Sequence, residues 1–139
     1  MTAERAEWQD FSIPNMGLRL RYPQHATDGE PVEMDDVRAH FRTMDSTQVY
    51  FEVSRHTGTT ARDLIARETG VIRRAEPKVQ ITEPAPILFA GHDALRFTVT
   101  FPDRERIFTI VERGAYVYRV VYDPRSPINE EIVETVEFT

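Results

Sequence analysis

Cysteine is missing altogether from the 139 residues, which removes disulfides, thiolate nucleophiles and zinc–thiolate sites together. Net positive charge is missing too: 17 Lys and Arg stand against 23 Asp and Glu, a formal −6. A nucleic-acid binder needs dense cations to displace phosphate counterions, so that class is disfavoured, a local basic patch excepted. No apolar run approaches the length of a membrane span, and no h-region follows the polar opening Met1–Asp10. Neither a signal peptide nor a spanning helix is expected, and the cytoplasm is the default compartment. Glycine-rich phosphate loops, a P-loop lysine, G-x-S-x-G and the spacings H-x-x-x-H, H-E-x-x-H and H-x-H do not occur. Internal repeats, low-complexity runs and domain linkers are lacking as well.

What remains is a globular composition, 40% hydrophobic and 29% charged, in a chain long enough for one substantial core. We expect a single domain over 10–139 behind a flexible lead-in of residues 1–9, where Trp8 is the one residue expected to dock. Phe11–Pro14 and Leu18–Tyr22 read as short strands flanking a turn at Asn15-Met16-Gly17. Val37–Thr43 and Gln48–His56 alternate apolar and polar residues and form a hairpin. Pairing Thr43 with Val49 aligns their apolar sets and sets His40 opposite Glu52. A helix follows, with Thr60 as N-cap, Asp63 three residues on, and Gly70 as the expected stop, which leaves about Ala61–Thr69. Val79–Gly91 contains Pro84 and Pro86, so it reads as an edge strand or a mixture of loop and strand.

The last third is the richest stretch. Ala94–Pro102, Arg106–Arg113 and Tyr116–Pro124 are apolar strands with connections too short for a parallel return, so they form an antiparallel meander. Leu95, Phe97, Val99 and Phe101 mark one face, which Ile107, Val111, Val117 and Val121 can join. Phe108, Ile110, Tyr118, Val120 and Tyr122 are assigned to the other. Strands apolar on both sides need cover on both sides. The covers are the 60–70 helix and a closing helix, with Ser126 as N-cap, Pro127 in its first position and Glu130-Glu131 near its positive end. Ile128, Ile132, Val133 and Val136 are its apolar side. The fold class is therefore α+β: an antiparallel β-sheet of about six or more strands sandwiched between helices.

Several residues carry a family likeness. Phe11-Ser12-Ile13-Pro14 precedes Leu18-Arg19-Leu20-Arg21-Tyr22-Pro23. Phe89-Ala90-Gly91-His92-Asp93-Ala94 enters a strand through a G-x-x-A step. The chain closes with Val121-Tyr122-Asp123-Pro124 and a helix running into Thr135-Val136-Glu137-Phe138. This order resembles the PsbP-like fold superfamily, which includes the photosystem II protein PsbP, a Ran-binding nuclear-import factor and several bacterial proteins. PsbP's transit peptide, and the signal and lipidated cysteine of many bacterial relatives, are not expected here. The resemblance implies an α/β/α sandwich that acts by binding other macromolecules, although fold alone does not carry function.

Candidate chemistry is sparse. His25, His40, His56 and His92 are the only imidazoles. His40 beside Glu52 is a half-site for a metal or an acid–base couple, and an ordinary cross-strand pair is the competing reading. Asp103-Arg104-Glu105-Arg106 reads as a solvated hairpin tip. Asp123 and Ser126 read as satisfying backbone donors at a helix entry rather than as a base or ligand. A polar sheet face made of Arg38, His40, Arg42, Tyr50 and Glu52, extended by Arg96, Thr98 and Thr100, would form a cationic groove for an acidic peptide, a carboxylate or a phosphate. The expectation is a non-catalytic binding or adaptor module without a cofactor, whose partner is another protein or an acidic peptide. The alternatives are a small enzyme or metal-binding protein using His40 and Glu52, and an apolar-ligand carrier with an NTF2-like cavity.

Overall fold

A computed structural model describes residues 8–13, 17–23, 40–44, 50–125 and 127–138. Among these residues, ten strands and two helices follow in the order β1 (Trp8–Ile13), β2 (Leu18–Pro23), β3 (His40–Met44), β4 (Tyr50–Thr57), α1 (Ala61–Ala75), β5 (Gln80–Ile81), β6 (Ala85–Phe89), β7 (His92–Thr100), β8 (Glu105–Arg113), β9 (Tyr116–Tyr122), α2 (Pro127–Glu134) and β10 (Glu137–Phe138). Seven strands build the main antiparallel sheet in the order β3-β4-β9-β8-β7-β5, with β6 also paired to β7. The two short pieces β5 and β6 share one edge, as the prolines of that segment require. Strands β1, β2 and β10 form a second, three-stranded sheet.

Turn chemistry sets the meander. Ala90 and Gly91 both take positive φ (51° and 80°) between the paired Phe89 and His92, the two-residue geometry that matches strand twist. Gly114 (φ 63°) does the same for β8 and β9, with Arg113 opposite Tyr116. Both faces of the meander are buried: Phe108 is 6% exposed, Tyr118 1% and Val120 0%. One face packs Phe97, Val99, Phe108, Ile110, Val117 and Val121 against Ala61, Leu64 and Ile65 of α1. The other packs Phe51, Val53, Val111, Tyr118, Val120 and Tyr122 against Leu18 and Leu20 of β2 and Ile132 and Val136 at the closing helix. That second cover is therefore a mixed layer of α2 and the small sheet.

Three sequence expectations need correction. In β8 the faces are exchanged: Phe108 lies opposite Phe97 and Val121, while Ile107 and Val111 lie opposite Tyr122 and Tyr118. In the β3–β4 hairpin Thr43 pairs with Phe51, two residues beyond Val49, so His40 faces Ser54 and Arg42 faces Glu52. Helix α1 does not stop at Gly70. It runs to Ala75, and the Glu76 N–H donates to the Ile72 carbonyl. A mid-helix glycine costs only about 1 kcal/mol, and the burial that continues at Ile72 offsets it. The Thr60 cap is as expected, its hydroxyl accepting from the Asp63 N–H at 3.1 Å.

Candidate functional site

Arg119 is a lone cation inside the apolar strand Tyr116–Tyr122. Its side chain points to the α1 face, where its guanidinium meets Glu52 of β4 at 2.5 Å and Glu68 of α1. All three side chains are about four-fifths buried, so each charge depends on the others for compensation. The Arg119 Nε is a buried donor with no hydrogen-bond partner among the described residues.

This triad closes one end of a cleft of about 330 Å³ between the second half of α1 and the sheet. Phe101, Phe108, Ile72 and Val121 give the cleft apolar surface, Val71 sits at its lip, and Arg104 and Arg106 stand on the far side. Three arginines thus line it against two glutamates. The Arg104 guanidinium lies 3.9 Å from the centre of the Phe101 ring, a cation–π contact that fixes that wall. Arg106 is tied inward, its Nη1 donating to Asp123 Oδ2 at 3.1 Å.

Asp123 is fully enclosed. Its Oδ1 accepts from the Arg125 backbone N–H at 2.9 Å and its Oδ2 from Arg125 Nε at 3.0 Å, while its carbonyl accepts from Asn129 Nδ2 at 3.1 Å. Burial pushes its carboxyl up, but the Arg125 hydrogen bonds and the charges of Arg125 and Arg106 outweigh burial, and the net shift is downward. This geometry makes Asp123 the clamp between β9 and α2. On the opposite sheet face burial, then the charge and hydrogen bond of Glu130, push the Tyr122 phenol up to about 12. Its hydroxyl donates to Glu130 Oε1 at 3.3 Å.

Of the residues in the groove read from the sequence, the structure does not bring Glu52 and Arg96 together. Glu52 lies on the α1 face with Arg119, whereas Arg96 points to the α2 face, where its Nε donates to the buried Thr109 hydroxyl at 3.2 Å. Backbone register places His40 opposite Ser54, Arg42 opposite Glu52 and Tyr50 opposite Met44; Arg38 lies outside the described residues. For the His40–Glu52 half-site, the backbone register sets His40 opposite Ser54, two residues from Glu52, and Arg119 pairs with the glutamate. His25 and the Ser126 cap also lie outside the described residues. Among the described residues no group of three His, Asp or Glu side chains converges as a metal site.

Sequence reasoning missed two arrangements. Ser54 Oγ lies 2.9 Å from His56 Nε2 on the α1 face, with the hydroxyl buried. The Glu52–Arg119–Glu68 triad spans 67 and 51 residues of sequence. Its one legible signal was an arginine amid Tyr-Val-Tyr-Arg-Val-Val-Tyr, which demands carboxylates when both sheet faces are covered.

No family model matches the chain, and no curated protein sequence matches it. Solved structures do. The solution structure of cyanobacterial PsbP (CyanoP) from Synechocystis sp. PCC 6803 superposes with a TM-score of 0.63 at 12% identity, over 96% of this chain and 94% of that one. A crystal structure from Bacteroides thetaiotaomicron VPI-5482 gives a TM-score of 0.56 at 16% identity over 96% of this chain, which spans 49% of that one. Likeness at such identities is a likeness of fold, and the fold of this chain is PsbP-like.

Proposed function

We propose that the chain is a non-catalytic binding module that engages a partner protein through the cleft between α1 and the β8–β9 part of the sheet. One observation carries this reading. Both faces of the meander are filled by side chains, with Phe97, Tyr118, Val120 and Ile110 at 1% exposure or less. An apolar-ligand carrier would need a chamber where those side chains sit. Recognition is then left to the surface, and the cleft combines an apolar floor with fixed cations, the mixture found at protein-binding sites. No described helix is long and apolar enough to cross a membrane.

Quantitative affinity capture from a cell extract tests the proposal, with the full chain as bait beside Val71→Glu/Arg104→Glu and a remote control, Arg19→Glu. A partner held by wild type and control but lost by the cleft variant supports the site. Equal recovery on all three baits removes it.

A further inference from the structure

The solvent side of α1 is cationic in a chain that is anionic overall. Arg62, Arg67, Arg73 and Arg74 are exposed on the helix and Lys78 just beyond it. None takes part in the ion pairs formed among the described residues. Residues 61–78 hold five basic against three acidic side chains, a local excess of two positive charges within a net of −6. Glu68, one of those three acids, is already bound by Arg119. Within this field Val71 is 49% exposed, one of two large hydrophobics exposed among the described residues.

Helical geometry aligns these features. Arg67, Val71 and Arg74 stand at i, i+4 and i+7, one ridge of the helix, and Val71 is also the lip of the cleft. We propose that this ridge and cleft receive an extended partner segment carrying two acidic residues with an apolar residue between them. The inference rests on the docking reading above and names the chemistry of its partner. From Arg67 to Arg74 the helix rises about 10.5 Å, which an extended peptide spans in roughly three residues. Side chains of an extended segment share a face only at every second residue, so the two acids sit about four positions apart with the apolar residue midway, the long arginine side chains taking up the difference. The apolar side chain between them enters beside Val71 and reaches toward Phe101 and Phe108, while Arg104 on the far wall is already paired with Asp103 at 2.9 Å.

A polyphosphate backbone fits less well. The same cleft presents Glu52 and Glu68, and the rest of the chain is acidic, so continuous negative charge is repelled, whereas spaced acids with an apolar anchor are accommodated. Such an interaction is steered by charge and weakens as salt screens it.

The test is selection of a phage-displayed random dodecapeptide library on the immobilised full chain. Binding of synthesised winners is then measured by fluorescence polarisation at low and high salt, against Arg67→Glu/Arg74→Glu and Val71→Glu variants with wild-type circular dichroism. Oligothymidylate and phosphatidylserine vesicles serve as competing probes. The expected winners carry the acid–apolar–acid pattern and bind each variant at least about tenfold more weakly. Lysine-for-acid versions of those peptides should bind Arg67→Glu/Arg74→Glu better than wild type. Winners without paired acids that still depend on Val71 would overturn the charge assignment and leave the docking reading standing. Winners indifferent to both variants, or no enrichment above bare support, would overturn both. Tighter binding of the oligonucleotide or the vesicles, lost in Arg67→Glu/Arg74→Glu, would reassign the face and overturn the peptide proposal.

Discussion

Arg119 of β9 reaches diagonally across the ladder to Glu52 of β4 at 2.5 Å, although the register sets Glu52 opposite Val121 and Arg119 opposite Ser54. The diagonal is what lets the same guanidinium also take Glu68 of α1, joining the helix to the sheet behind the cleft.

Removing that cation leaves two mostly buried carboxylates facing each other. Arg119→Met should lower the unfolding free energy by about 2–3 kcal/mol, below the range for fully buried pairs because about a fifth of each side chain reaches solvent. The triple variant Arg119→Met/Glu52→Gln/Glu68→Gln should recover most of the loss, since no charge is stranded. Urea unfolding of both measures this. A single-variant loss under roughly 0.5 kcal/mol would class the triad with ordinary surface pairs.

Asp123 sets the acid limb of stability. Its folded-state carboxyl is held below its ordinary value by Arg125 and Arg106 despite burial. The unfolded chain therefore binds a proton there first. The contribution is complete above the unfolded value near 3.9 and is lost as pH falls through the lower folded value. Asp123→Asn should cost about 2 kcal/mol at neutral pH, the range for hydrogen bonds to charged groups, and should flatten the decline below about pH 4. Denaturant midpoints of wild type and variant across the acid range check both effects; parallel acid limbs would assign the decline to other carboxylates.

What was legible divides along a physical line. The antiparallel order of β7, β8 and β9 followed from loop length, and their two-sided burial followed from residue type. Face assignment in β8 did not. Strands apolar on both sides lack the alternation that fixes register, and the parity rests on a loop of four residues, Phe101–Arg104, closed by the Phe101 N–H on the Arg104 carbonyl. The β3–β4 hairpin failed differently. A slip of two residues keeps every side chain on its face, so the apolar pattern was blind to it, yet it moved His40 from Glu52 to Ser54. Arg96 and Glu52 were put on one face for want of a long-range fact: they lie three strands apart, and parity had to be carried through β8 to compare them.

Tyr122 sets an alkaline limb of opposite sign. Burial, with Glu130 beside the hydroxyl, raises its phenol from 10 to about 12. Its contribution is whole below the unfolded value near 10 and is lost as pH climbs toward 12. Two pKa units correspond to about 3 kcal/mol. Tyr122→Phe should cost about 1 kcal/mol at neutral pH, for the hydrogen bond, and become the more stable form in strong alkali. Ultraviolet titration of tyrosinate should lose one late-titrating group in that variant. Burial raises the Tyr118 phenol as well, so one late group should remain; an unchanged number of late groups would assign the shift to tyrosines other than Tyr122.

Gly17 and Tyr118 make the sharpest steric test. Gly17 takes φ 72°, and a Cβ there would stand 2.7 Å from Tyr118 Oη, whose ring is 1% exposed. Two costs separate cleanly: the left-handed backbone, about 1 kcal/mol for alanine, and the collision with a hydroxyl at the end of a buried ring. Gly17→Ala should lose about 2–3 kcal/mol in all. Tyr118→Phe alone should lose about 1 kcal/mol, because the hydroxyl hydrogen-bonds Arg113. The double variant removes the colliding oxygen but not the strained φ, so its loss should fall short of the sum of the singles by at least about 1 kcal/mol. Additive losses would mean that the β1–β2 turn shifts away from the ring, and the whole cost of alanine would then lie in the backbone.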